Sequence, residues 1–414
     1  MKKIYLILLL STIYQFASAQ MSRVGNDSLI IHFPIGIDPS RLTMMEGLRL
    51  HYRVDIIDAL PRLQMQVWKF QNEADRNAFL TIWGTYVAAL EKSVLQVSEP
   101  KKARPRISED TITIASANYW SQTFLRRCPQ AGNTVVKVAV IDVGIFTSTG
   151  NTPQNALLNR YFDRDSSRNF TQETDANSPV QDKSPFLHGT RVAGVIANIY
   201  DSLGMNSAFQ KLTIFKAFNQ NGEANLWHIL KAIDACIAQK IQIVNLSFNY
   251  TANWPPRIGA TQPKLLLETA INIAKNYNML FVTAAGNEGS NVDNSQNVGF
   301  FPTNFRCDNL IKVAADSIGM QPASFSNYGG NSVDIAACGT VVVAGRNDTL
   351  MVSSGTSFAA PIVTALAAIE ASKLSSFDWW AVKQALRIRF KPTIPTGWQS
   401  KLQTTGGVLK PICD

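Results

Sequence analysis

The chain has 414 residues, 46% hydrophobic and 17% charged, with 24 Gly and 18 Pro. That length suits two folded units and that composition a large buried core, which excludes a disordered, collagen-like or low-complexity protein. Lys and Arg outnumber Asp and Glu by 39 to 30, but the basic residues are scattered and no aromatic run is interleaved with them, which argues against a nucleic-acid partner.

In chain order, residues 1–19 have the layout of a secretory signal peptide. Lys2 and Lys3 precede an apolar run from Ile4 to Ile13, and Ala17-Ser18-Ala19 marks a cut before Gln20. The run falls short of the roughly 20 apolar residues that span a bilayer, so a secreted or periplasmic chain with no membrane anchor is expected. Residues 20–110 read as a small α+β, ferredoxin-like unit. Its elements are a strand from Ser28 to Phe33, a helix from Pro39 to His51, strands Val54 to Leu60 and Leu63 to Phe70, a helix from Glu73 to Trp83 and a strand near Val94 to Val97. The charged, Pro-containing stretch Glu99 to Asp110 reads as an exposed linker open to proteolytic nicking.

From residue 115 to 414 short apolar strands alternate with helices, the pattern of an α/β domain with a mainly parallel sheet covered on both faces, in three layers. The strands are Val135 to Ile141, Leu212 to Ala217, Ile241 to Leu246, Met279 to Thr283, Leu310 to Ala314 and Val333 to Ala337. The helices are His188 to Ile199, Asn225 to Gln239, Lys264 to Asn276 and Ser357 to Ala371, of which the first and last are apolar or small-residued all round and expected at the centre. Five cysteines at irregular spacings form neither a metal knuckle nor a dense disulfide scaffold. One or two disulfides are permitted, their pairing is open, and Cys236 reads as an inert core thiol.

Polar residues just past a buried strand line the crevice where such sheets bind ligands. Asp142 ends Val138-Ala139-Val140-Ile141, as a buried carboxylate that needs partners or as a turn cap. His188 opens a helix whose Gly189, Ala193 and Gly194 permit close packing. Ser357, after Gly355-Thr356, sits at a helix N-terminus, where free N–H groups and the dipole suit a developing oxyanion and where serine also serves as a cap. Asn287, between Gly286 and Glu288, offers a side-chain amide donor or a plain turn.

The four come in the order Asp, His, Asn, Ser, and Asp…His…Ser is the order of subtilisin. The segments VAVIDVGI, HGTRVAG, AAGNEG and GTSFAAP resemble the signature blocks of the subtilisin-like serine proteases, the subtilases, across essentially all of residues 115 to 414. The resemblance implies a subtilisin-like fold and a serine-type endopeptidase acting on protein or peptide substrates. It implies Ser357 as nucleophile, His188 as general base and acid, Asp142 as orienting carboxylate, and Asn287 with the Ser357 N–H as oxyanion hole. Ser247, Phe248, Asn249 and Gly286 would then bind substrate. Residues 20–110 would be an inhibitory prodomain, making the chain a self-processing zymogen cut between Glu99 and Ala117.

Three positions depart from the family pattern. Val143 stands where a hydroxyl residue usually follows the aspartate, Leu187 where glycine often precedes the histidine, and Asn249-Tyr250 where the substrate strand usually ends in two glycines, which would narrow the cleft. No cofactor is required for such chemistry. Structural calcium is common in the family, but Asp163, Asp165 and Asp175 match no defined calcium loop, so no metal residue is assigned. The alternative function is a catalytically silent subtilase fold used as a binding module; an esterase of the α/β-hydrolase type conflicts with Ala359 at the last glycine position of its nucleophile elbow.

Overall fold

The structure, a computed structural model, describes residues 21–25, 27–32, 46–83, 90–91, 94–96, 131–146, 153–175, 178–208, 210–253, 265–294, 298–317, 321–344, 350–390, 394–403 and 407–408. Residues 1–19, expected to be a signal peptide, the stretch 99–110 expected to be a linker, Cys128 and Cys413 lie outside them.

The N-terminal unit is a five-stranded sheet in the order β3-β4-β2-β1-β5. Its strands are β1 (Met21–Gly25), β2 (Ser28–His32), β3 (Asp55–Leu60), β4 (Met65–Lys69) and β5 (Leu90–Glu91), with residues 46–51 helical and helix α1 at Glu73–Trp83. Period-two alternation divides its two faces. Leu29, Ile31, Trp68 and Phe70 pack with Phe79 of α1, whereas Ile30, Met65 and Val67 join the core of the large domain. Besides β5, which pairs parallel with β1, two features differ from the sequence expectation. Met21–Gly25 adds a strand that hairpins onto β2, and Val94–Gln96 (β6) leaves this sheet to pair antiparallel with Glu223–Asn225 (β10) of the large domain.

The large domain contains β7 (Val138–Asp142), α2 (Pro153–Tyr161), β8 (Phe162–Asn169), α3 (His188–Ser202), β9 (Leu212–Lys216), α4 (Leu226–Ala238), β11 (Ile243–Leu246), β12 (Tyr250–Asn253), α5 (Leu266–Lys275), β13 (Leu280–Ala284), β14 (Val298–Phe301), β15 (Leu310–Asp316), β16 (Ile335–Cys338), β17 (Thr340–Ala344), β18 (Leu350–Ser354), α6 (Thr356–Ser372), α7 (Trp379–Phe390) and β19 (Gly407–Val408). Eight strands form one sheet in the order β19-β16-β15-β13-β11-β7-β9-β8, every pairing parallel.

The alternation of β7 shows why the sheet needs helices on both sides. Val138 and Val140 face the layer of α3 and α6, while Ala139 and Ile141 face that of α4 and α5. Each large apolar side chain so buried contributes about 1.5–3 kcal/mol. Asn225 caps α4 by accepting the Trp227 N–H at 2.8 Å.

The N-terminal sheet seats on α4. Asp58 Oδ2 accepts from Trp227 Nε1 and pairs with Lys231 Nζ, both at 2.8 Å, and Arg62 pairs with Asp234 at 2.9 Å.

Candidate active site

Asp142 is the last residue of β7 and fully buried. Its carboxylate faces His188 Nδ1 at 2.9 and 3.0 Å, and Oδ1 also accepts the Val143 N–H at 2.8 Å. An acceptor held on Nδ1 puts the proton there and leaves Nε2 as the basic nitrogen. The approach requires Gly189: a Cβ there would strike the Gly144 carbonyl and lie 3.1 Å from the Asp142 side chain. Leu187, where the family often has glycine, holds φ 50° in the left-handed region, the conformation glycine takes without strain.

Helix α3 has no side-chain cap of its own. Asp182 supplies one from outside, accepting from Thr190 Oγ1 at 2.7 Å and Thr190 N at 3.3 Å. Burial pushes its carboxyl up, and the hydroxyls of Ser184 and Thr190 oppose that rise.

Ser357 is the second residue of α6, and the His188 ring lies 5.9 Å from that of the adjacent Phe358. Pro361 sits inside this helix and has no N–H to give the carbonyl four residues back, which is that of Ser357. Ser247 Oγ donates to that carbonyl at 2.8 Å in its place. Ser247 is itself oriented by Asn245 Nδ2, and Asn245 Oδ1 accepts from Thr364 Oγ1. The turn into α6 is anchored on both sides.

Asn287 follows the end of β13. Its Oδ1 accepts from Thr356 N at 2.8 Å and Thr356 Oγ1 at 2.9 Å. Because a backbone N–H only donates, the atom facing it must be the amide oxygen, so the amide NH₂ occupies the other side. Thr356 Oγ1 also accepts the Gly286 N–H at 3.1 Å.

The expected substrate-binding residues divide. Ser247 and Phe248 are buried, the first on the Ser357 carbonyl and the second against Phe218, with ring centres 5.0 Å apart. Asn249 and Gly286 do meet: Gly286 takes φ 108°, and a Cβ on it would collide with the side-chain amides of Asn249 and Asn327 and come within 2.7 Å of Glu288 Oε2. Asn327 Nδ2 donates to Glu288 at 2.6 Å. Tyr250 turns inward onto Phe301, with ring centres 5.5 Å apart, so of the two departures only Asn249 stands over this glycine. Thr356, Asp182 and Asn245 were not singled out by the sequence, where they are ordinary polar residues with no spacing signal.

Among the described residues no group of three or more His, Cys, Asp or Glu could hold a metal ion. Asp163 accepts the Ser166 N–H, and Asp175 pairs with Lys183 at 3.1 Å. Cys236, Cys307 and Cys338 are buried free thiols, and burial pushes the Cys236 thiol well up. No helix among the described residues is long and apolar enough to cross a membrane.

A buried carboxylate–imidazole pair and a helix-start serine lie toward the carboxyl ends of a doubly covered parallel sheet, where α/β folds place their ligand sites. Residues 133–395 match the Subtilase family, Peptidase_S8, and the chain belongs to that family of serine-type endopeptidases. It is 32% identical over 202 residues to the thermostable alkaline protease of Halalkalibacterium halodurans, covering 48% of this chain and 51% of that one. It is 30% identical over 279 residues to an intracellular serine protease of Paenibacillus polymyxa, covering 66% and 78%. The chain thus spans about half the length of the alkaline protease, and 26% of the minor extracellular protease Epr of Bacillus subtilis. In fold it resembles the epidermin leader peptide processing serine protease of Staphylococcus aureus, with a TM-score of 0.65 at 17% identity over 93% of this chain and 96% of that one.

Proposed function

We propose that the chain is an exported serine endopeptidase, secreted or periplasmic, that cleaves peptide bonds of protein or peptide substrates through an acyl-enzyme and is made as a self-processing zymogen. The observation that carries this reading is the His188 Nδ1 to Asp142 pair at 2.9 Å, set beside the start of α6. Ser357 Oγ attacks the scissile carbonyl as His188 Nε2 takes its proton. The imidazolium, stabilised by Asp142, returns that proton to the leaving amine, and water then releases the acyl group by the same route. The Asn287 amide and the Ser357 N–H receive the oxyanion. The chemistry draws on no cofactor, and calcium, if bound, would act on stability.

The zymogen reading is supported by the seat of Asp58 and Arg62 on α4 and by β6, which pairs as an added antiparallel strand with β10 just ahead of that helix. In this reading Val94–Gln96 lies where a substrate strand would, and the cut follows within Glu99 to Ala117.

The rival reading, a silent binding module, draws on the side chains of Asn249, Glu288 and Asn327 crowding Gly286. Intact mass and N-terminal sequence of the chain expressed without its signal, compared with Ser357→Ala, separate the two. Cleavage in the unaltered chain alone supports the protease. If both stay whole and a fluorophosphonate probe leaves Ser357 unlabelled, the silent module is correct.

A further inference from the structure

At the end of the sheet away from the catalytic residues, a cavity of about 550 Å³ opens between the start of β15, the segment before β16 and helix α7. Its charges are unbalanced. The buried Asp334 carboxylate has Lys312 Nζ at 3.8 Å, Lys383 Nζ at 3.8 Å and the Arg387 guanidinium at 3.5 Å. One carboxylate therefore faces three cations. Two further residues of opposite sign, Asp293 and Arg306, also line the cavity, and Asp308 at its edge is paired with Lys275 at 2.9 Å.

The three cations are not equally satisfied. Lys383, four residues before Arg387 on α7, gives its ammonium to the carbonyls of Asp308 and Leu310, at 2.8 and 2.6 Å. Lys312 Nζ and Arg387 are drawn toward Asp334 at distances beyond hydrogen bonding, and among the described residues their side chains donate to no acceptor. Lys312 is buried and Arg387 partly exposed, so both donors are free to take an acceptor inside the cavity, where a confined cation gains from one. The local field agrees. Burial raises the Asp334 carboxyl, but Lys312, Lys383, the Lys312 N–H it accepts at 2.9 Å and Arg387 outweigh it and hold the group below its ordinary value. Burial lowers the Lys383 ammonium, Asp334 and Asp308 oppose that fall, and the neighbouring cations add to it.

We propose that this cavity binds a small oxyanion of the phosphate class, gripped by the Arg387 guanidinium and the Lys312 ammonium with Lys383 behind them. Around Asp334 three cations face one carboxylate, and over the whole lining four cations face three carboxylates, so the cavity keeps a positive excess for an anion to meet. A guanidinium fork beside an ammonium matches tetrahedral oxyanion geometry. The volume exceeds that of a bare ion, so either free phosphate or a compact phosphate monoester fits the same donors.

The test is thermal unfolding of the full chain carrying Ser357→Ala, titrated with inorganic phosphate or glycerol 3-phosphate against chloride at equal ionic strength. A saturable rise in Tm is expected, because a ligand that binds only the folded state stabilises it by mass action. Arg387→Gln, at a partly exposed position, should weaken apparent binding at least about tenfold, the size of one lost charge-assisted bond. Lys312→Met should do the same where it folds. Tighter binding of the ester identifies a monoester as the occupant, and equal or weaker binding identifies the free ion. No rise beyond chloride, or an unchanged titration in Arg387→Gln, overturns the site.

Discussion

Thr356 donates both its backbone N–H and its hydroxyl to Asn287 Oδ1, at 2.8 and 2.9 Å, so the residue before the serine aims the amide proposed to face the oxyanion. Replacing Asn287 with Ala should lower kcat by about two to three powers of ten with KM little changed, the magnitude known for this donor in subtilisin. Thr356→Val keeps the backbone N–H and should cost only about tenfold, one weakened orienting bond. Steady-state kinetics on a peptide anilide decide it, and equal losses in both variants would refute the division of labour.

Asp142→Asn preserves shape but presents an amide N–H to His188 Nδ1. The ring proton then moves to Nε2, the nitrogen that must be basic, and kcat should fall by about 10⁴ near pH 7. A fall of less than tenfold would mean that Asp142 is not the orienting group.

Ser247→Ala removes the donor that Pro361 cannot supply to the Ser357 carbonyl. A buried acceptor left unpaired costs about 1–3 kcal/mol, so the urea midpoint should drop with an unchanged m-value. If Pro361→Ala in the Ser247→Ala background restores stability, the hydroxyl is confirmed as the replacement for a helical bond.

Asp316, at the carboxyl end of β15, is fully buried, and neither of its oxygens accepts a hydrogen bond. Burial pushes its carboxyl up to about 8. The folded state therefore holds the proton more tightly than the unfolded chain, whose carboxylate titrates near about 4. Stability from this group is complete below about pH 4 and declines as pH rises through 8. Asp316→Asn should flatten that decline, measured by urea unfolding of Ser357→Ala chains across the range. An identical pH slope with and without the substitution would show that the carboxyl is ionised or solvated.

Much of this architecture is legible in the chain because both faces of a parallel sheet must be apolar. Runs such as Val138 to Ile141 and Leu280 to Val282 announce themselves, and the structure moves their ends by only a few residues. The edge strand Phe162–Asn169 carries Asp, Arg and Ser and gives no such signal, because one side of an edge meets solvent. The site blocks were readable as short ordered motifs, whereas Asp182, Asn245 and Thr356 act through hydrogen bonds that only the fold brings together. The side chains of Ser247 and Phe248, expected to bind substrate, were hidden from sequence reasoning for a related reason: the Phe248 ring packs on Phe218, and Ser247 serves the helix break made by a proline far along the chain. Asp334 shows the same limit, since its three cations come from β15 and α7.

The bond from Ser247 to the Ser357 carbonyl spans 110 residues of chain. Its two ends leave the ribosome far apart in time, and the helix bearing the serine comes after all but one strand of the main sheet. A truncated or half-made product therefore lacks either the hydroxyl or its seat. Long-range parallel pairing also folds slowly, which delays the assembled centre further. In the proposed reading, the nucleophile is thus seated only after nearly the whole main sheet has been made.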